Sequence, residues 1–247
     1  MSSPKLFFLH NPKAGGSSLR SLLGDLAGSG KIAPVMDEGP NQYSERRYPG
    51  GAPKGFDVYF GHCGYEIYQN VRDGHAVVTN FRDPIQRIYS IYRYWRFNVS
   101  SDIVCGLHPA DAEVVRLAKV LPFNRFIRSD NPDLDLYISN FHFRQIYKSG
   151  WMRTKDSLWA KWVVMRRIQK MPWFYIAETP QASATLLRNL FPKGPELRFP
   201  VENRSCGTAE PVSEADAKHI IGMNLLDYHI YGYALKLQAT RLARANA

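Results

Sequence analysis

The chain has 247 residues, 45% hydrophobic and 22% charged, with a formal net charge of +10. That length fits one large domain or two small ones with a substantial core, and the composition is that of a globular protein rather than a disordered one. The positive surplus suits polyanionic partners, whether nucleic acid, anionic lipid, acidic glycan or a nucleotide bearing several phosphates, and does not choose among them. Cys63, Cys105 and Cys206 are odd in number and match no zinc spacing, so neither a disulfide framework nor a metal site is implied. No secretory leader precedes the first apolar run, and no stretch of about 20 apolar residues occurs. A reduced, cytoplasmic setting is the expectation.

The first predicted element is an apolar strand, Leu6 to Leu9, followed by a loop, Asn11 to Gly16. A helix opens at Ser17, with Leu19, Leu22, Leu23 and Leu26 on one face. Strand, glycine loop and helix start make an anion site, because free amides and the helix dipole point at one spot. Gly15 and Gly16 allow close approach, Ser17 and Ser18 add hydroxyl donors, and Lys13 adds a charge. An ordinary strand-to-helix turn is the competing reading. Lys13 precedes both glycines, so the Walker A order fails; the glycines are adjacent, so the dinucleotide pattern fails too.

Ile32 to Met36 reads as a short strand broken by Pro34, and residues 37–55 as an exposed loop, either inert or a lid. Phe56 to Phe60 is a second strand ending in Gly61-His62-Cys63-Gly64-Tyr65. A histidine at a strand end is well placed for chemistry, and an unperturbed imidazole titrates near neutrality; a structural histidine stays open. Glu66 is a weaker candidate for orienting it. Ala76 to Phe81 is a third, nearly all-apolar strand suited to a central parallel position. It leads into Arg82-Asp83-Pro84, where Asp83 is an N-cap and Pro84 the first helical residue. The helix continues through Ile88, Ile91, Tyr92 and Trp95, with Ser90 about two turns in. A capped helix with surface arginines is the plain alternative.

Asp111 to Leu121 reads as a short amphipathic helix, Phe123 to Arg128 as further helix, and Asp130 to Leu136 as an acidic loop. Trp151 to Lys170 reads as a helix with a basic face, its tryptophans in the core or its cations lining a groove for an anionic acceptor. Trp173 to Ala177 is a fourth strand, with a helix from Gln181 to Phe191 after it. Residues 192–212 read as an exposed Pro- and Gly-rich loop. Ser213 caps one final helix, with Asp216 in the capping-box position and fraying from about Gln238. Strands alternating with helices imply an α/β fold with a mainly parallel central sheet, as one domain spanning residues 1–247.

The order Pro12-Lys13-Ala14-Gly15-Gly16-Ser17-Ser18 resembles the 5′-phosphosulfate loop of sulfotransferases that use 3′-phosphoadenosine 5′-phosphosulfate (PAPS), above all the carbohydrate branch. His10 to Leu19 match its His-x-Pro-Lys-x-Gly-Gly-(Ser/Thr)-(Ser/Thr)-Leu string position for position. Arg82 to Ser90 resembles the family's Arg-Asp-Pro-x-x-Arg-x-x-Ser signature, and Gly61, His62 and Tyr65 match a segment of hexuronyl 2-O-sulfotransferases. The resemblance implies a P-loop-like sulfotransferase fold. Lys13, Ala14, Gly15, Gly16, Ser17 and Ser18 would hold the phosphosulfate, and Arg82 and Ser90 the 3′-phosphate. His62 would be the general base, with Lys13 stabilising charge on the leaving phosphate. Val201-Glu202-Asn203-Arg204-Ser205 loosely matches a stretch near the adenosine, which makes Arg204 and Ser205 nucleotide contacts. Asn140 to Gln145 matches another family segment loosely, with Asn140 and Arg144 as contacts or as packing.

The implied reaction is sulfuryl transfer from PAPS to a hydroxyl, with adenosine 3′,5′-bisphosphate as product, no metal, and a glycan as the favoured acceptor. No specific nucleic-acid partner is implied. Many animal relatives in that branch carry a Golgi membrane anchor, and the lack of one here points to a bacterial, cytoplasmic enzyme. A P-loop phosphotransferase or NTPase is the alternative enzyme, disfavoured by the lysine position. A non-catalytic basic protein that binds nucleotide or nucleic acid is the alternative outside catalysis.

Overall fold

The structure, a computed structural model, describes residues 5–27, 30–34, 53–191 and 211–245. Leu6-Phe7-Phe8-Leu9 is apolar at every position because both its faces are covered, as in a central parallel strand. This strand, β1 (Leu6–Leu9), lies between β2 (Val58–Gly61) and β3 (Ala76–Phe81), and β4 (Phe174–Ile176) completes the order β2-β1-β3-β4. All three pairings are parallel, with Leu6 opposite Val58 on one side and Ala76 on the other. The protein is thus an α/β fold with a small parallel sheet flanked by helices.

The side-chain period of two sorts the strands onto two faces. Leu6, Phe8, Val58, Phe60, Val78 and Tyr175 meet Leu19, Leu22 and Leu23 of α1 (Gly16–Ala27) and Leu187 of α10 (Pro180–Leu190). Phe7, Leu9, Tyr59, Val77, Phe81 and Phe174 face the other way. There they meet α2 (Tyr65–Val71), α8 (Phe141–Tyr147), α9 (Leu158–Lys170) and α12 (Leu225–Ala245). Between β3 and β4 the chain builds a helical lobe. It comprises α3 (Pro84–Phe97), α4 (Ser101–Cys105), α5 (Pro109–Val120), α6 (Phe123–Phe126) and α7 (Pro132–Ile138) before α8 and α9. Ile88, Tyr92, Val114, Phe126 and Leu134 form its core, joined by Ile220 of α11 (Glu214–Met223).

Caps fall where the side chains predict. Asp83 accepts from Gln86 N at 3.0 Å with Pro84 in the first helical turn, and Ser213 accepts from Asp216 N at 3.1 Å. Several expectations are corrected. The acidic segment 130–136 is largely helix, because Asn131 accepts from Asp133 N and Leu134 N and Pro132 follows it. The basic helix begins at Leu158, capped by Ser157, not at Trp151, and Trp159 and Trp162 are exposed rather than in the core. Two helices, not one, follow Ser213; they break at Asn224. The tail expected to fray from Gln238 is helical through Ala245, held by Gln238 against Thr179 and Ser183 and by Arg241 against Met171 O. Ile32 makes only an isolated bridge to Val58. Most of the loops at 37–55 and 192–212 lies outside the described residues.

The topology places the site. From β1 the chain goes to β2 on one side, whereas β3 leads on to β4 on the other. The crevice outside the carboxyl ends of β1 and β3 is therefore the switch point, where open α/β sheets bind ligands. Both sequence signatures begin at those two strand ends.

Candidate functional site

The loop after β1 is shaped by two residues in the left-handed region, Lys13 at φ 62° and Gly15 at φ 85°. Lysine seldom adopts that conformation, and its cost must be offset by neighbours. The offset comes from β3. Asn80, wholly buried, donates through Nδ2 to Asn11 O at 3.0 Å and Ala14 O at 2.8 Å, and accepts from Asn11 N at 2.7 Å. Arg82 Nη1 donates to Lys13 O at 2.8 Å. The two signatures are thus stitched together directly. At Gly16 a Cβ would come within 1.6 Å of His10 Nε2, and at Gly15 within 2.9 Å of Tyr175 Cε1, so both glycines are there for close approach. Helix α1 starts at Gly16, which leaves its first amides without partners inside the helix.

Lys13 carries its charge into this crevice half-buried. Its Nζ sits 4.0 Å from the Tyr94 ring centroid, a cation–π contact. Burial, and then the nearby Arg82 charge, lower its pKa to about 8. Among the described residues no carboxylate pairs with it. Arg82 is lowered mainly by burial, while Glu178 and Asp83 act in the opposite sense. Glu178 is itself held, accepting from Asp83 N at 3.0 Å and from the Tyr231 hydroxyl at 3.0 Å.

Sequence reasoning did not find Asn80, Tyr94, Gln145 or Glu178 as parts of this site. For Asn80 there was a signal: two polar residues, Thr79 and Asn80, interrupt a strand read for its apolar ones. Thr79 donates to Leu9 O at 2.6 Å, so both serve the loop's foundation. Tyr94 left no signal, since only the docking of α3 brings it over Lys13.

His62 follows β2 directly and is half-buried. Its ring centroid lies 4.6 Å from that of His10. His10, at the end of β1, is pressed under the α1 start with both ring nitrogens buried and unpartnered among the described residues. Its pKa lies well below the usual imidazole range, first through burial, then through the charges of His62 and Lys13. His10 therefore links the His62 segment to the Lys13 loop. Gln145 Nε2 donates to His10 O at 3.0 Å and Cys63 O at 3.1 Å, tying the ends of β1 and β2 together. Gln145 Oε1 and Asn11 Oδ1 are also buried without partners among the described residues. Orphaned polar atoms of this kind cluster where a water or ligand belongs. Gly64 is fixed because a Cβ would meet Lys148 O at 2.1 Å, and Glu66 N donates to Lys148 O at 3.1 Å.

The sequence-predicted residues divide accordingly. Lys13, Ala14, Gly15, Gly16 and Arg82 come together at the crevice, with His62 linked to them through His10. Ser90 is half-buried on α3, one turn before Tyr94 and on the same helical face. That face is turned to the loop, since Tyr94 meets Lys13. The backbone of Ser17 and Ser18 lies in the first turn of α1, their side chains outside the described set, and Arg204 and Ser205 fall wholly outside it. Asn140 and Arg144 serve the fold. Asn140 Oδ1 accepts from Leu226 N and Asp227 N, and Arg144 Nη2 donates to Leu136 O at 2.6 Å. Among the described residues no His, Cys, Asp and Glu group has the arrangement of a metal site. Likewise, no described helix is long and apolar enough to cross a membrane.

Neither a protein-family model nor a curated protein matches the chain.

Proposed function

We propose that the crevice at the ends of β1 and β3 binds the phosphosulfate of PAPS, and that the protein is a P-loop-like sulfotransferase acting on a hydroxyl acceptor. The observation that carries this reading is the stitched pair: Lys13 with no carboxylate among the described residues to neutralise it, and Arg82 bonded to the Lys13 carbonyl. Two cations held this close in a partly buried loop repel one another, and a bound anion relieves the repulsion. The glycine loop and the free α1 amides suit tetrahedral oxyanions.

In this reading Arg82 and Ser90 take the 3′-phosphate, and Arg204 and Ser205, which fall outside the described residues, are further nucleotide contacts. Lys13 and the Gly15 to Ser18 amides stabilise charge growing on the leaving 5′-phosphate oxygen. His62 accepts the acceptor's hydroxyl proton as the new oxygen–sulfur bond forms and the sulfur–phosphate oxygen bond breaks. His10, its ring nitrogens buried and its basicity lowered by that burial, leaves that role to His62. A glycan is the favoured acceptor, and the chemistry asks for no metal.

Titration calorimetry with adenosine 3′,5′-bisphosphate tests the site: the wild type binds, Arg82→Ala binds far more weakly, and adenosine 5′-monophosphate, which lacks the 3′-phosphate, is a poor ligand. Equal affinity for both nucleotides removes the 3′-phosphate clamp. Turnover with labelled donor tests the base, where His62→Ala costs about 10²- to 10⁴-fold.

A further inference from the structure

The face of α9 that points away from the core is apolar where it should be polar. Leu158, Trp159 and Trp162 are 86%, 64% and 53% exposed, whereas Ala160, Val164 and Ile168 supply the buried side. The two indoles stack on each other, 5.0 Å between centroids and 20° between planes. The same outward face continues into Arg166, whose guanidinium lies 5.9 Å over the Trp162 ring, and Lys170. Lys155 precedes the helix. Lys161 and Arg153 are neutralised by Asp156 and Asp135. Lys155, Arg166 and Lys170 have no ion-pair partner among the described residues.

We infer that this face docks on an anionic lipid bilayer. The chemistry is that of an interfacial helix: tryptophan and leucine enter the headgroup region while flanking cations meet lipid phosphates. Each indole already covers one face of the other, which leaves less ring surface for stacking on sugars and favours insertion. A second copy of the chain is a poor occupant, since two-fold pairing of this patch would set like charges against each other.

Helix α9 is tied to the rest of the fold on its covered side and leads on to β4. Further along it, Arg167 stacks 3.5 Å over the Tyr65 ring and donates to Ile146 O at 2.8 Å, anchoring α9 to the segment that follows His62. The docking does not depend on which reaction the crevice performs.

The test is cosedimentation of the full chain with phosphatidylcholine vesicles, with and without phosphatidylglycerol, alongside tryptophan emission. Binding to the mixed vesicles alone, with a blue shift, is expected. Trp159→Ala with Trp162→Ala weakens it by about tenfold or more, and Arg166→Glu or Lys170→Glu by about fivefold each. All three variants keep the wild-type thermal midpoint, because the side chains are exposed. Equal binding to phosphatidylcholine alone overturns the inference. So does anionic binding that the tryptophan variant leaves unchanged, which is the generic attraction of a basic protein. Absent vesicle binding, combined with tryptophan-dependent retention on dextran sulfate, overturns it in favour of an anionic polymer.

Discussion

Two clusters of positive charge, one buried and one half-buried, stand close together in this molecule, and they are built on different plans. Arg87 and Arg144 lie 1% and 4% exposed in the helical lobe, where Asp227 acts on both electrostatically. Arg87 donates through Nη1 and Nη2 to Tyr137 O, with its Nε left without a partner among the described residues, and Arg144 donates to Leu136 O and Asn140 O. Asp227 in turn accepts from Phe143 N at 2.7 Å and His142 N at 3.3 Å, capping α8, while Asn140 caps α12 reciprocally. That cluster is closed by a nearby carboxylate and by carbonyls, save at the Arg87 Nε. Arg82 has the Lys13 carbonyl with Glu178 and Asp83 nearby, whereas Lys13 has a tyrosine face and no paired carboxylate among the described residues, and on the Lys13 side the cluster is open. The difference teaches that burial of charge does not mark a site; incomplete compensation does.

Variants of the two clusters separate these plans. The largest effect belongs to the closed one. Asp227→Ala uncaps two α8 amides and removes a charge that offsets two buried guanidinium groups, costing about 3 kcal/mol in urea unfolding. Asp227→Asn, which keeps an acceptor, costs less. If Asp227→Ala unfolds at the wild-type midpoint, the closed cluster is not structural.

The open cluster responds the other way round. Lys13→Met lowers adenosine 3′,5′-bisphosphate affinity by about 10- to 100-fold in calorimetry, the worth of a charge-assisted contact. Its urea midpoint stays level or rises, because the folded state no longer buries a repelled charge. A clear fall in stability would make Lys13 structural and erase the contrast. The pH dependence sharpens it further. Lys13 loses its proton near pH 8 in the folded protein, far below its unfolded value, so nucleotide affinity declines as pH rises through about 8. The penalty on folding from this group is complete below pH 8 and relieved above it, toward the ordinary lysine pKa.

On the acid side, His10 and His142 are both held well below the usual imidazole pKa by burial. The unfolded chain therefore takes up protons that the fold refuses. The urea midpoint falls as pH drops below about 6.5, and His142→Gln flattens that slope. A midpoint flat between neutrality and mild acid would show that both rings accept protons in place. The smallest effect is that of Tyr94→Ala. Removing one cation–π contact at a partly exposed site weakens nucleotide binding by about two- to fivefold, and an unchanged affinity would place the ring outside the site.

Much of this was legible in the sequence. The strands at Leu6, Val58, Ala76 and Phe174, the Asp83-Pro84 helix start and the Ser213 cap are local in origin: continuous apolar runs, a proline, a capping oxygen. The helix at Pro132–Ile138 was written there too, in the Asn131 cap, but acidic residues beside a proline resemble a turn. The exposed Trp159 and Trp162 were not legible, because composition assigns tryptophan to a core by habit and only packing shows which face of α9 is covered.

By itself the sequence determined the elements and the two signatures, since both depend on residues within one or two turns of each other. That Asn80 underpins the loop, that Arg82 bonds the Lys13 carbonyl, and that Tyr94 rather than a carboxylate faces the Lys13 ammonium were decided only by tertiary structure. The hydrogen bonds among these contacts cross 66 to 69 residues of chain, and their geometry follows from strand order and helix docking, which local preference does not encode.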